Sequence, residues 1–155
     1  MADIMTTFSI LTEKDGSDIE IVKQLIPVTP SDYWRKGDLV KVNNRLLRKE
    51  SCWEIEFDKK TVDIEDCIQA VSIFIDDYQE ALKKLHFDYD FIILIKFVIT
   101  IHSFNSPIIG MEPDFIKKLA GIGGEFQIAL YYDDDEDNSP NRWINDTGLD
   151  LEILH

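Results

Sequence analysis

The chain has 155 residues, 45% of them hydrophobic and 11% aromatic, which is enough to bury roughly 70% of the unfolded surface in one core and excludes a natively disordered chain. Thirty acidic residues against sixteen basic ones leave a formal charge of −14. That field repels nucleic-acid phosphates and anionic lipid, so no nucleic acid and no membrane are expected, and a charged partner should be a protein with a basic surface.

Residues 6–11 are β-prone, Asp15-Gly16 suits a turn, and Ser17-Asp18-Ile19-Glu20 has the form of a capping box at the start of a short helix. Ile19, Val22, Leu25 and Ile26 supply the apolar stripe of that helix; Pro27 and Pro30 end it because neither can donate to a helical ladder. Residues 29–38 read as a loop. Residues 39–42 and 51–57 read as two strands joined across a basic stretch, with Asn43-Asn44 at the turn. In the second of these, Trp53, Ile55 and Phe57 point one way and Glu54 and Glu56 the other, the period of a sheet with one wet face.

Ile64, Cys67, Ile68, Val71, Phe74, Ile75, Tyr78, Leu82 and Leu85 recur at spacings of three and four, which predicts one helix from residue 64 to about 86, N-capped by Asp63. Residues 91–102 follow as a central strand with Phe91, Ile93, Ile95, Phe97, Ile99 and Ile101 on one face. Ile92, Leu94 and Val98 on the other predict cover on much of both sides. Pro113 opens a helix containing Phe115, Ile116 and Leu119 and stopped by Gly121, and residues 125–132 form the last strand. The expected boundaries are one domain over 1–132 and an acidic tail over 133–155. The order βαββαβαβ predicts an α+β fold, a single-domain α/β sandwich whose mostly antiparallel or mixed sheet carries packed helices; its first six elements match a split βαβ, ferredoxin-like core.

No catalytic set emerges from these elements, and no catalytic residue, cofactor or metal is predicted. His86, His102 and His155 are scattered, with no nucleophile and orienter beside them. Gly121-Ile122-Gly123-Gly124 follows a helix and precedes a strand, the reverse of a phosphate-cradling loop, and reads as a helix cap and tight turn. The run from Asp133 to Asn138 lacks the glycine and the bidentate glutamate of a calcium loop, since Asn138 and Ile144 occupy those places. Asp76-Asp77, and Glu54 with Glu56, read as wet faces of a helix and a strand.

Two surfaces remain as candidates. Trp34, Arg35, Lys36, Gly37 and Asp38, followed by Arg45, Arg48 and Trp53, combine guanidinium planes with aromatic rings, a pairing that suits anions or a partner protein. The segment 35–49 carries a net +5, leaving −19 on the rest of the chain, so the molecule is read as electrically two-faced. Asp133, Asp134, Asp135, Glu136 and Asp137 form the second candidate, an acidic partner surface. Cys52 and Cys67 lack the spacing of a disulfide framework and are expected to be reduced and buried. The longest apolar run, 91–101, holds Lys96 and is too short to span a bilayer, and no cationic and apolar leader follows Met1, so the expected location is cytoplasmic.

Pro27-Val28-Thr29-Pro30 leading into Trp34-Arg35-Lys36-Gly37-Asp38, then Ser51-Cys52-Trp53-Glu54-Ile55, then the stretch from Glu112-Pro113-Asp114-Phe115 through Ala120 to a glycine-rich turn and a strand ending at Tyr131, resemble the bacterial family called domain of unknown function 4279 (DUF4279) over about residues 5–132. The resemblance implies a small bacterial cytoplasmic domain and brings no reaction or cofactor with it. The expected role is a non-enzymatic acidic protein-binding module, in its most specific form an immunity-type inhibitor of a basic toxin. Two alternatives stand beside it: a small anionic-ligand binder or enzyme using the tryptophan-containing basic hairpin, and a self-associating structural subunit, hence a homo-oligomer.

Overall fold

A computed structural model describes residues 2–61, 63–102 and 108–133. Strand β1 (Ala2–Thr12) is followed by helix α1 (Glu20–Leu25), a short strand β2 (Asp32–Trp34), a hairpin of β3 (Leu39–Val40) and β4 (Asn43–Leu47), and the long strand β5 (Ser51–Thr61). Helices α2 (Ile64–Asp77) and α3 (Gln79–Phe87) lead to β6 (Ile92–Ile101), and α4 (Pro113–Gly121) leads to β7 (Gly124–Tyr132).

The main sheet has the order β2-β5-β1-β6-β7. Its first four strands are all antiparallel to their neighbours, so β1 and β2 run parallel with β5 inserted between them. This is the ferredoxin-like βαββαβ arrangement expected from the element order, with α4 and a parallel β7 added at the β6 edge. The class is therefore α+β, a mixed sheet with helices packed on it.

The helices lie on one face only. Alternation puts Ile4, Phe8 and Ile10 of β1, Trp53 of β5, and Ile93, Ile95, Phe97, Ile99 and Ile101 of β6 on that face, all fully or almost fully buried beneath Val71, Phe74, Ile75, Leu82, Leu85 and Phe115. Phe74 is the central contact of α2, edge-on to Phe8 at 4.8 Å and stacked with Trp53 at 6.4 Å. The opposite face of β6 is open: Ile92 is 38% exposed and Leu94, Lys96, Val98 and Thr100 are half-buried. The expected two-sided cover of this strand is thus corrected. Its apolar outer residues sit between two neighbouring strands, which shelter them without a second helical layer.

Four further expectations are refined. Leu39 and Val40 pair with β4 in a separate two-stranded sheet, and the strand beside β5 is the three-residue β2, which sequence reading placed in a loop. Three residues are too few to show a period, whereas Leu39, Leu46 and Leu47 advertise a strand yet remain more than half exposed. The turn of that hairpin falls at Lys41-Val42, and Asn43 begins β4, its Oδ1 accepting from the Arg45 amide at 3.1 Å. The long helix breaks at Tyr78, whose φ −123° and ψ 25° leave the helical basin and aim Leu82 and Leu85 of α3 into the core. The capping box does not form: Asp18 Oδ1 accepts from the Glu20 amide at 3.0 Å, while the Glu20 carboxylate turns to Tyr33 and Arg35.

Asp63 caps α2 as expected, its Oδ1 accepting from the Glu65 amide at 2.9 Å. Helix α4 begins with Pro113 and runs through Gly121, and Gly123, at φ +72°, supplies the left-handed residue that turns the chain into β7. A methyl group on Gly123 would stand 2.0 Å from the His86 ring, so the α4–β7 turn approaches the last turn of α3 too closely for any side chain at this position.

Candidate functional site

The residues singled out around Trp34 form a turn that is occupied with holding itself in place. The Asp38 amide donates to the Arg35 carbonyl at 3.0 Å across a turn in which Gly37 takes φ +93°, a conformation a side chain would strain. Asp38 Oδ2 accepts from the Arg35 amide at 2.8 Å, and the Lys36 amide donates to Ser51 Oγ at 2.9 Å. Lys36 Nζ reaches back to the Glu13 carbonyl and to Asp15, each at 2.8 Å, tying the turn to the β1–α1 loop. Arg35 Nη2 donates to Glu20 at 2.7 Å.

Around Glu20 the charges are compensated. Tyr33 Oη donates to Glu20 Oε1 at 2.6 Å and Lys23 Nζ lies 3.7 Å from the centre of the Tyr33 ring. The hydroxyl bond from Tyr33 first, then Lys23 and Arg35, hold the Glu20 carboxyl below its ordinary range; burial first, then the bond to Glu20, push Tyr33 up to about 12. Arg48 stacks on Trp34 with its guanidinium carbon 4.1 Å from the ring centre. Lys41 sits 3.7 Å from Asp32. Of the four cations proposed to hold an anion, Arg35 and Lys36 are bound to the chain's own carboxylates; Arg48 and Arg45 have no acidic partner among the described residues, and Arg48 is committed to covering Trp34.

The two tryptophans are on opposite sides of the sheet. Trp53 opposes Ile10 and is fully buried under α2, whereas Trp34 opposes Cys52 on the open face. Cys52 is 2% exposed there, and burial, with the charges of Glu54 and Glu50 behind it, pushes its thiol up to about 12. Cys67 is also buried and likewise raised, mainly by burial.

The open face is the surface that the fold adds to the two read from sequence. Register and alternation bring Asp3, Asp32, Glu54, Glu56 and Glu125 onto it from four strands; Lys96 stands among them, and His102, Lys41 and Arg48 lie at its margins against Asp3, Asp32 and Trp34. Between these charges lie Met5, Leu94 and Val98, each half-buried, and the exposed Ile92. Ser9 Oγ fixes Glu54 by donating to its Oε1 at 2.8 Å, while Glu56 and Glu125 stand exposed. The wet side of β5 was visible in the alternation of Trp53 through Phe57; its union with Asp3 and Glu125, remote in the chain, was not.

At one end of this face, Asp133, assigned to the tail by sequence reading, belongs to the folded unit. Its amide donates to the Ile101 carbonyl at 2.9 Å and its Oδ2 lies 2.8 Å from His102 Nδ1. The remainder of the acidic candidate surface, Asp134, Asp135, Glu136 and Asp137, lies outside the described residues. No helix among the described residues is long and apolar enough to cross a membrane.

The family model for the domain of unknown function DUF4279 matches residues 3–133, from the sheet's central strand to the His102-bound aspartate. The chain belongs to that family. No curated protein and no solved structure matches it.

Proposed function

We propose that this is a non-enzymatic, acidic protein-binding module and that its partner docks through basic groups on the open face of the sheet. The observation that carries the proposal is the composition of that face: five carboxylates on four strands, of which Glu56 and Glu125 stand exposed with no cation paired to them among the described residues, and half-sheltered apolar side chains between them. A rigid surface of this kind offers apolar contact area at its centre and attracts basic side chains around it, the division of labour found in protein interfaces. The −14 charge adds long-range steering toward the same kind of partner. Inhibition of a basic toxin is the specific form of this role, and a bacterial cytoplasm is the setting in which it would act. Two of the cations in the basic stretch offer little competition for an anionic partner, because Arg35 and Lys36 are paired with Glu20 and Asp15.

The test is affinity capture at low salt with the intact protein, a Glu56→Lys/Glu125→Lys variant and an Arg45→Glu variant. A basic protein retained by the first and third and lost by the second is expected. Retention of no basic protein, or retention indifferent to the open-face reversal, would sink the proposal.

A further inference from the structure

The two edges of the sheet are treated differently. At one edge, β2 is only three residues long, is preceded by Pro30, and carries Asp32; short length, proline and charge are the devices by which edge strands avoid pairing with other chains. At the other edge, β7 runs for nine residues with no proline and no basic residue, and its one charge is Glu125.

Its side chains are also under-covered. Phe126, Ile128, Leu130 and Tyr132 fall in register with Ile95, Phe97, Ile99 and Ile101 of β6, on the helix-bearing face. The β6 residues are at most 3% exposed, whereas the four on β7 are 38–49% exposed, and Ile116 on the neighbouring α4 is 50% exposed. Helix α4 packs on the start of β7, where Leu119 fills the space left by Gly124, and leaves the rest of the stripe open.

We propose that β7 is a homodimer interface, on which a second copy of this chain pairs antiparallel through its own β7 about a two-fold axis at Ile128. The argument for a second copy is self-complementarity. Under that axis Phe126 meets Leu130, Gln127 meets Ala129, Glu125 meets Tyr131, Tyr132 meets Gly124 and Ile128 meets itself, so the three central apolar residues of the stripe each find another on the same face and no two like charges oppose one another. In a chain of charge −14, β7 itself carries a single charge, so its central residues can approach a second copy without facing a like charge. Pairing satisfies the free backbone groups of both edges and joins two five-stranded sheets into one of ten strands. The interface leaves the open face free apart from its margin at Glu125.

The two proposals respond oppositely to salt. Screening weakens capture of a basic partner but relieves repulsion between two acidic copies, so the dimer should strengthen as ionic strength rises. Sedimentation equilibrium of the intact protein across protein concentration and sodium chloride should give a species of twice 18.0 kDa, more populated at high salt. Ile128→Lys and Leu130→Glu, both at half-exposed positions, should return a monomer with an unchanged far-ultraviolet spectrum and a cooperative melt that no longer shifts with protein concentration. A monomer under all conditions, or a dimer that survives both well-folded variants, would overturn the proposal. So would a monomer whose outward-pointing β7 amides, those not bonded to β6, are nevertheless protected from hydrogen exchange, since the edge would then be covered within one chain.

Discussion

His102 stands between two carboxylates, its Nδ1 2.8 Å from Asp133 Oδ2 and its Nε2 2.8 Å from Asp3 Oδ2, and so clasps the end of β7 to the start of β1 across the end of β6. An ionised carboxylate only accepts, and a neutral imidazole has one N–H, so both contacts are hydrogen bonds only when the ring is the imidazolium. The bond to Asp3 first, then that to Asp133, raises the His102 pKa above its ordinary value, against a small opposing effect of burial.

The clasp should therefore show in a titration. The His102 ring resonances are expected to titrate above the ordinary histidine value of about 6.5, and Asp3→Asn and Asp133→Asn should each move the midpoint down. Because the folded-state pKa is the higher one, the contribution to stability is complete below the unfolded value and disappears as pH rises through the folded value. A midpoint at or below 6.5 in the wild-type protein, read by NMR, would show that the clasp is not formed in solution. Glu20 and Asp90 act in the other direction: their pKa values are lowered, by the Tyr33 hydroxyl and by Lys14 respectively, and their contributions are lost as pH falls through those values.

Gly123→Ala should destabilise the protein by about 1–3 kcal/mol, combining a left-handed backbone with an enforced shift of the His86 ring. His86 is itself anchored, its Nδ1 2.8 Å from the Phe91 carbonyl, so it cannot simply swing away. In urea unfolding the double variant His86→Ala/Gly123→Ala should lose less than the sum of the two single losses, because the clash is shared. Strict additivity would show that only the backbone matters at this turn.

Trp53→Ala should lose about 3–5 kcal/mol, as expected for emptying a fully buried indole site beneath Phe74, and Trp34→Ala should lose clearly less. Trp53→Phe should retain most of the stability, since the buried indole N–H has no acceptor among the described residues and its removal leaves nothing unpaired. Equilibrium unfolding of the three variants distinguishes these; equal losses at Trp34 and Trp53 would contradict the placement of the two rings on opposite faces.

Neither thiol should react in the folded protein. Nucleophilic attack requires a thiolate, and burial raises both Cys52 and Cys67 away from ionisation at neutral pH. Ellman's reagent at pH 8 should therefore label two thiols only after denaturation. Prompt labelling of one thiol in the native protein would mean that Cys52 or Cys67 is not buried as it is here, and the Cys52→Ser and Cys67→Ser variants would tell which.

Local chemistry by itself determined much of this molecule. The three-and-four spacing from Ile64 to Leu85, the alternation of Trp53 to Phe57 and of Phe91 to Ile101, the cap at Asp63 and the proline at Pro113 each depend on neighbours a few residues apart, and the α+β class with its ferredoxin-like core follows from their order. Legibility ended where partners are remote. The three residues of β2 have no period of their own and become a strand because β5 offers them a ladder, while the better-patterned Leu39 and Val40 are claimed by β4. Composition could place Trp34 and Trp53 in one patch, but pleat and register put them on opposite sides of the sheet. Likewise no sequence pattern joins Asp3, Glu54 and Glu125, or His102 to both Asp3 and Asp133, because side-chain proximity across a sheet is decided by strand order and pairing register, and those are properties of the whole packed fold.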